Sequence, residues 1–295
     1  MKSIILISGL LTLSISCTAQ TPAGKPGILY GSITKENLMA APFDTWFVPN
    51  YDSYEPDTVV ISALKKLNSK DFSMQVFLGT WCGDSKREVP RFLKILDELS
   101  FPMQKVQIVA LGGSDSLYKQ SPLHEESGKG IFRVPVFIIY KNGIEINRIN
   151  EYPAFSLEKD LLTILGNKPY TPNYRSFEMV SHWLADGTLT DKNITARSLA
   201  LQLKLLVGGE NELNSLGYLW LKQEKKQEAL KIFQVNANLY PESANVISSL
   251  GEGYLRIGDI KSATQYLEKA LELNKDPKLV KEILKTLYEA KGVKE

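Results

Sequence analysis

The sequence predicts an α/β domain with a mixed central sheet, followed by an all-α domain of helical repeats. Short apolar runs alternate with segments of helical periodicity as far as residue 166. Pro169 and Pro172 then interrupt the pattern, which indicates a domain boundary. Beyond residue 209, apolar and small residues recur 34 positions apart. A chain of 295 residues is long enough for two such domains.

In the first domain, a leading helix is followed by a strand, a helix, a strand, a hairpin and a last helix. Asp57 is a suitable cap for the leading helix, and Asn142-Gly143 is a strong signal for the turn of the hairpin. Residues 51–56 are expected to be irregular. The predicted elements are a helix over 58–67, a strand over 74–78, a helix from Cys82 to about residue 99, strands over 106–111, 134–140 and 144–149, and a helix over 156–165.

The first residues predict export. A short charged start, an apolar run over 4–15 and a small-residue exit at Ala19 are typical of a secretory signal peptide, here residues 1–19. The apolar run is too short to span a bilayer. Cys17 has two interpretations: it is the lipid-accepting residue of a bacterial lipoprotein, or it belongs to the removed segment. We expect a location in the bacterial periplasm or cell envelope, with membrane attachment only if Cys17 is lipidated.

Charge and histidine content argue against several kinds of partner. Lys and Arg total 35 against 33 Asp and Glu, so the formal net charge of +2 provides no field that would attract nucleic acid or an anionic surface. The two histidines, His124 and His182, have too few neighbouring ligands for a metal site, and His124 is expected in a surface loop. The sequence contains neither a P-loop nor a Gly-rich dinucleotide fingerprint, so we expect no cofactor.

Cys82 is the one thiol expected in the mature protein, because Cys17 is either lipidated or removed. No internal disulfide can then form, and a lone exported thiol is reactive, paired with another molecule, or buried. Cys82 lies where an apolar strand meets the start of a helix, and the unpaired N–H groups and the dipole of a helix start favour the nucleophilic thiolate. In one interpretation Ser85 donates a hydrogen bond to that thiolate; in the other, Asp84 and Ser85 cap the helix. Residues 86–88 are expected on a solvated face.

Four features around Cys82 occur in order along the chain: the run Trp81-Cys82-Gly83-x-x-Lys86, Pro90 eight residues after the cysteine, Val134-Pro135 before an apolar strand, and Gly143 eight residues after Pro135. With these features the chain resembles the thioredoxin superfamily, over about residues 57–166. The run Trp-Cys-Gly-Asp-Ser is similar to single-cysteine, thioredoxin-like proteins of bacterial envelopes. The resemblance implies a thioredoxin-like domain over 20–168, with a cis peptide bond at Pro135 facing the sulfur. It also implies that Trp81, Val134 and Pro135 bind substrate, with Gly83, Asp84 and Pro90 in support.

Two positions depart from that pattern, and they shape the functional hypothesis. Ser85 stands where the second, resolving cysteine is usual, and Val76 stands where an acidic residue is usual. Without a neighbouring thiol, a mixed disulfide at Cys82 is released only by an external thiol. We expect single-cysteine thiol–disulfide exchange, of the isomerase or deglutathionylation type, on partner proteins or small thiols. The alternative is a non-catalytic binding module in which Cys82 is a buried thiol.

The second domain has a repeat of 34 residues that resembles the tetratricopeptide repeat. The matching positions are Leu216, Gly217, Trp220, Ala229 and Phe233, which recur as Leu250, Gly251, Tyr254, Ala263 and Leu267. We place this domain at 210–295, with a capping helix over 278–290, and a helical linker at 169–209. Because two repeats are few for a stable array, residues 174–206 are expected to supply helices that complete the core. The resemblance implies a protein or peptide partner on the helices.

Overall fold

The computed structural model describes residues 27–114, 117–274 and 276–292, in which an α/β unit precedes a helical region. The predicted signal peptide with Cys17 lies outside the described residues. The strands are β1 (Gly31–Ile33), β2 (Phe72–Leu78), β3 (Val106–Ala110), β4 (Val136–Lys141) and β5 (Ile144–Asn150). The helices of the α/β unit are α1 (Lys35–Met39), α2 (Asp44–Asp52), α3 (Thr58–Leu64), α4 (Gly83–Glu98) and α5 (Leu157–Leu165).

The helical region that follows consists of α6 (Ser176–Ala185), α7 (Ala196–Leu203), α8 (Glu210–Lys222), α9 (Lys226–Leu239), α10 (Ala244–Arg256), α11 (Ile260–Leu273) and α12 (Pro277–Ala290). Within the described ranges, no helix combines the length and the apolar character that a membrane crossing requires. The predicted class, an α/β unit followed by helices, is therefore compatible with the architecture observed.

The five strands form one mixed sheet with the order β1-β3-β2-β4-β5. β2 and β3 are parallel, and the other neighbouring strands are antiparallel. In the register, Val76 of β2 lies between Ile108 of β3 and Phe137 of β4. The carboxyl ends of β2 and β3 and the amino end of β4 thus meet at one edge of the sheet. The segment after Leu78 and the segment before Val136 therefore face each other.

Alternating residues of β2 pack on opposite faces of the sheet, as the period of a strand requires. Val76 joins the larger core, which the helices of the α/β unit cover, whereas Phe77 belongs to a smaller cluster on the other face. Phe92 of α4 stacks on Phe137 of β4 with ring centroids 4.3 Å apart. This contact holds α4 against the sheet.

The predicted elements are found with shifted ends, and the structure adds three elements before them. β1, α1 and α2 were not predicted, and α2 extends into the segment expected to be irregular. Pro49 lies inside α2, whereas Phe47 of the same helix is buried in the core. Asp57 caps α3 as predicted, but this helix ends at Leu64 instead of residue 67. β4 begins at Val136, two residues later than predicted, so that Pro135 lies in the preceding loop.

The helical region repeats with the spacing predicted from the sequence. α8 and α10 begin 34 residues apart, and so do α9 and α11. α8 and α9 approach each other closely at Gly217, where an added Cβ would lie 2.3 Å from Cε1 of Phe233. At Gly251, 34 positions later, a Cβ would lie 2.8 Å from Cγ of Leu267. Glycine is thus required at both positions because the partner side chain fills the space of a Cβ.

α6 and α7, in the segment predicted as a linker, pack into the core of the helical region. Phe177 and Leu203 belong to the same buried cluster as Trp220 of α8. Phe132, from the loop before β4, also belongs to it and contacts Phe177 edge-to-face at 5.1 Å between ring centroids. Residues 174–206 therefore contribute to the helical core as expected, and this core extends into a loop of the α/β unit.

A buried polar network connects three helices of the helical region. Asn236 of α9 is fully buried and donates hydrogen bonds to the carbonyl of Glu210 (2.9 Å) and to Oδ1 of Asn214 (3.0 Å). Asn214 of α8 in turn donates to Oγ of Ser249 in α10, at 3.0 Å. The network joins α8, α9 and α10 through directed bonds in addition to apolar packing.

Candidate functional site

Cys82 is the N-cap residue of α4 and its side chain is partly buried. Its N–H donates to the carbonyl of Gly79 (2.9 Å), and its own carbonyl accepts from the N–H of Lys86 (3.0 Å). The backbone on both sides of the thiol is therefore fixed. The thiol is not part of a disulfide, and the side chain of this N-cap residue accepts no hydrogen bond from the first N–H groups of α4. Those groups and the helix dipole are available to an anion at the sulfur.

The loop before β4 lies against this thiol. The Cys82 thiol donates a hydrogen bond to the carbonyl oxygen of Val134, with 3.3 Å between Sγ and O. The Val134–Pro135 peptide bond is cis, as the sequence resemblance implied. The carbonyl of Pro135 accepts from the N–H of Glu151 at the end of β5 (2.7 Å). The structure thus brings Cys82, Val134 and Pro135 together; their substrate-binding role stays a prediction.

Trp81 forms one wall of the site. Its indole N–H donates to the carbonyl of Leu111 at 3.0 Å, directly after β3. The ring packs so closely that a Cβ at Gly113 would lie 2.5 Å from it, and one at Gly79 would lie 2.6 Å from it. The ring of Tyr118 packs on Trp81 with centroids 5.3 Å apart. The indole is therefore held in one orientation beside the sulfur.

Ser85 lies in the first turn of α4, next to the end of β2. Its side chain is fully buried, and its hydroxyl accepts a hydrogen bond from the N–H of Gly79 at 3.1 Å. Side chains in the first turn of a helix point back toward its N-terminus, which brings this hydroxyl to the end of β2. Ser85 therefore ties the strand–helix junction together beside the thiol, and its hydrogen bond to a Cys82 thiolate stays a prediction.

Asp84 pairs with Arg87 one turn later, with 2.8 Å between Oδ1 and Nη2. Arg87 also contacts Glu88 at 2.6 Å, and the Glu88 side chain is only 5% exposed. The expected solvated face is therefore wrong for Glu88, because α4 turns this position toward the protein interior. Gly83 begins α4 in open space, and Pro90 lies buried inside the same helix.

A buried lysine near the thiol was missed at the sequence level. Lys119 is 6% exposed, and its ammonium group donates to the carbonyl of Phe132 at 2.6 Å. The pKa of Lys119 is lowered to about 8, first by burial and then by the positive charge of Arg133, whereas the negative charges of Glu151 and of the Cys82 thiolate oppose the shift. A lysine in a polar loop is normally solvated, so the sequence pattern contained no signal for this burial.

Other charged and aromatic groups surround Lys119. Lys222, at the end of α8, has its ammonium group 4.2 Å from the centroid of the Tyr118 ring. Arg133 lies 3.4 Å from Oε1 of Glu151, and Tyr174 donates its hydroxyl hydrogen bond to the same carboxylate. The pKa of Glu151 lies above its ordinary value, because burial raises it by more than the nearby Arg133 lowers it. The helical region thus contributes Lys222 and Tyr174 to the surroundings of the thiol.

A cavity of about 410 Å³ adjoins Lys119 between the loop 119–132 and the helices α6 and α8. Cys82 and Trp81 are not among its lining residues. His124 lies at this cavity in an exposed loop, with Nδ1 3.2 Å from Oε1 of Glu126, so its expected surface-loop position is confirmed. In the part of the chain that the structure describes, no group of His, Cys, Asp and Glu side chains is arranged to hold a metal ion.

No family model matches the sequence, and a search of curated proteins gives no match.

Proposed function

We propose that this chain is an exported, thioredoxin-like protein that performs single-cysteine thiol–disulfide exchange at Cys82 on partner proteins or small thiols. The mixed sheet, with β4 antiparallel to the strand that leads to the thiol, supports a thioredoxin-like fold. The cis bond before Pro135 and the thiol at the start of α4 also support it. The 34-residue spacing of α8 to α11 supports tetratricopeptide-like repeats in the helical region.

One observation carries this function above all: the partly exposed thiol belongs to the N-cap residue of α4, and its Sγ lies 3.3 Å from the carbonyl oxygen of Val134. In the reaction, Cys82 loses its proton and the thiolate attacks one sulfur of a disulfide. A new bond forms between Sγ and that sulfur, the original S–S bond breaks, and the departing thiolate takes up a proton. Because Ser85 is not a thiol, the mixed disulfide persists until an external thiol attacks it.

The loop before β4 is placed to hold the disulfide substrate. In the resting protein the thiol of Cys82 donates a hydrogen bond to the carbonyl oxygen of Val134. When Cys82 ionises, that bond is lost, and the carbonyl is then available to an N–H of an extended substrate. Trp81 closes the neighbouring side and restricts the approach to the sulfur. Binding and deprotonation are thus coupled at one carbonyl group.

Intact-mass measurement tests this function. The protein is incubated with glutathione disulfide and, separately, with a peptide that contains one mixed disulfide; we expect one adduct per chain in each case. The adduct should be absent from Cys82→Ser and should be removed by an excess of reduced small thiol. Failure of the wild-type protein to form any adduct would contradict exchange at Cys82.

A second candidate function is non-catalytic protein binding through the thioredoxin-like unit and the repeats. The hydrogen bond from the thiol to Val134 favours it, because this bond satisfies the neutral, unreactive form of Cys82. Under this hypothesis the thiol forms no adduct, and Cys82→Ser binds the partner as well as the wild-type protein does. The mass measurement therefore separates the two functions.

A further inference from the structure

Lys119 occupies a position where a lysine needs an explanation. Its ammonium group is buried, and within the described residues it has no carboxylate partner in an ion pair. Its hydrogen-bond acceptor is the neutral carbonyl of Phe132. A buried charge is costly unless it is paired, and a methionine of similar length would fill the same space without that cost. A compensating anion is therefore expected nearby.

Lys119 is linked to the two segments that position the thiol site. Its ammonium group binds the carbonyl of Phe132, two residues before the Val134 carbonyl that meets the Cys82 thiol. Its own N–H donates to the carbonyl of Gly112 at 2.9 Å, and the preceding residue, Leu111, accepts the indole N–H of Trp81. Lys119 thus links the two ends of the segment that joins β3 to β4. The end near β4 contacts the Cys82 thiol, and the end near β3 contacts Trp81.

Among the described residues, the charged groups that act on Lys119 are the cations Arg133 and Lys222, the carboxylate of Glu151, and Cys82 in its ionised form. Glu151 already interacts with Arg133 and with the hydroxyl of Tyr174. The Cys82 thiolate raises the pKa of Lys119, so the sulfur and the ammonium group lie within electrostatic reach of each other.

We propose that Lys119 is a positioning residue for exchange at Cys82: its buried ammonium group stabilises the Cys82 thiolate and fixes the segment from Phe132 to Pro135 against which the sulfur lies. This inference rests on the function proposed above. It assigns to the loop 117–132 a role in the reaction.

Alkylation of Cys82 by iodoacetamide tests the role of Lys119 independently of any disulfide. We expect Lys119→Met to slow alkylation near pH 7 roughly three- to tenfold, as one charge at intermediate distance and dielectric predicts, and to move the pH profile to higher pH. Lys119→Arg, which keeps the charge, should retain most of the wild-type rate. Lys269→Met, at an exposed position of α11, is the matched control and should react like the wild type. Circular dichroism verifies that each variant is folded.

A second measurement keeps the test valid if Lys119→Met does not fold. The ¹³Cε resonance of Lys119 is titrated in the wild-type protein and in Cys82→Ser. Because the coupling is mutual, we expect the titration midpoint of Lys119 to fall in Cys82→Ser by the logarithm of the factor that separates the alkylation rates. An identical midpoint in both proteins, or equal alkylation of Lys119→Met and wild type at every pH, would overturn the role of Lys119.

The outcomes distinguish this inference from the function on which it rests. If the wild-type protein forms no mixed disulfide while alkylation still depends on Lys119, then the exchange function fails and the electrostatic link stands as a local property. If mixed disulfides form at the same rate in wild type and Lys119→Met, then exchange stands and the role of Lys119 is wrong.

Discussion

The buried ammonium group of Lys119 should make the stability of the protein depend on pH in a way that one substitution removes. Burial lowers the pKa of Lys119 to about 8, against 10.5 for the unperturbed side chain. As pH rises, the folded protein releases this proton before the unfolded chain does. Between the two pKa values the unfolded chain therefore binds more protons, and the free energy of unfolding increases with pH.

The size of the effect follows from the two pKa values. Their difference corresponds to about 3 kcal/mol in full, and about 2 kcal/mol of this is gained between pH 7 and pH 9.5. Above that range buried tyrosines act in the opposite direction: burial raises the pKa of Tyr140 to about 12, so the unfolded chain ionises first and stability falls. Measurements should therefore stop near pH 9.5.

Urea unfolding followed by circular dichroism measures this difference. Lys119→Met is compared with its parent, both in a Cys82→Ser background, so that no thiol titrates in the same range. Between pH 7 and pH 9.5, we expect the free energy of unfolding of the parent to rise by about 2 kcal/mol more than that of Lys119→Met. Lys269→Met, an exposed lysine, should show the pH dependence of the parent. Parallel curves for the parent and Lys119→Met would refute the burial of a charged Lys119.

Two further substitutions test the thiol site and the helical core. Ser85→Cys places a resolving thiol one turn into α4. Reduction of insulin-type disulfides, which we expect to be absent from the wild type, should become measurable in this variant. The substitution should also destabilise the reduced protein by about 1 kcal/mol, because sulfur accepts poorly from the N–H of Gly79. No reductase activity in a folded variant would contradict the geometry assumed for this turn. Asn236→Ala should lower the free energy of unfolding in urea by about 1–2 kcal/mol, since a buried amide oxygen loses its donor. Asn238→Ala, on the exposed side of α9, should stay within about 0.5 kcal/mol of wild type, and equal losses in both variants would argue against the buried network.

Local sequence rules predicted the part of the site that lies on one stretch of chain. Cys82 stands between an apolar strand and an amphipathic helix, and the structure places it at the helix cap. Asn142-Gly143 marks the turn that joins β4 to β5. These features depend on residues that are close together in the chain, so the local sequence is sufficient to predict them.

Features that arise from packing between distant segments could not be predicted in this way. β1 has three residues, too few for an alternating pattern, and it exists because it pairs with β3 about 76 positions later. Glu88 belongs to a charged run, yet the packing of α4 turns it inward. Lys119 is buried because its loop lies between the sheet and the helical region, which the sequence around it does not reveal.

Three successive contacts connect the last turn of α8 to the sulfur: Lys222 lies over Tyr118, Tyr118 packs on Trp81, and Trp81 precedes Cys82. Phe132 meanwhile reaches from the α/β unit into the helical core. The repeats are therefore not a detachable appendage, since cutting them away would uncover that phenylalanine and remodel the surroundings of the thiol. A displacement of α8 would therefore reach Trp81, the neighbour of the thiol, through two side-chain contacts.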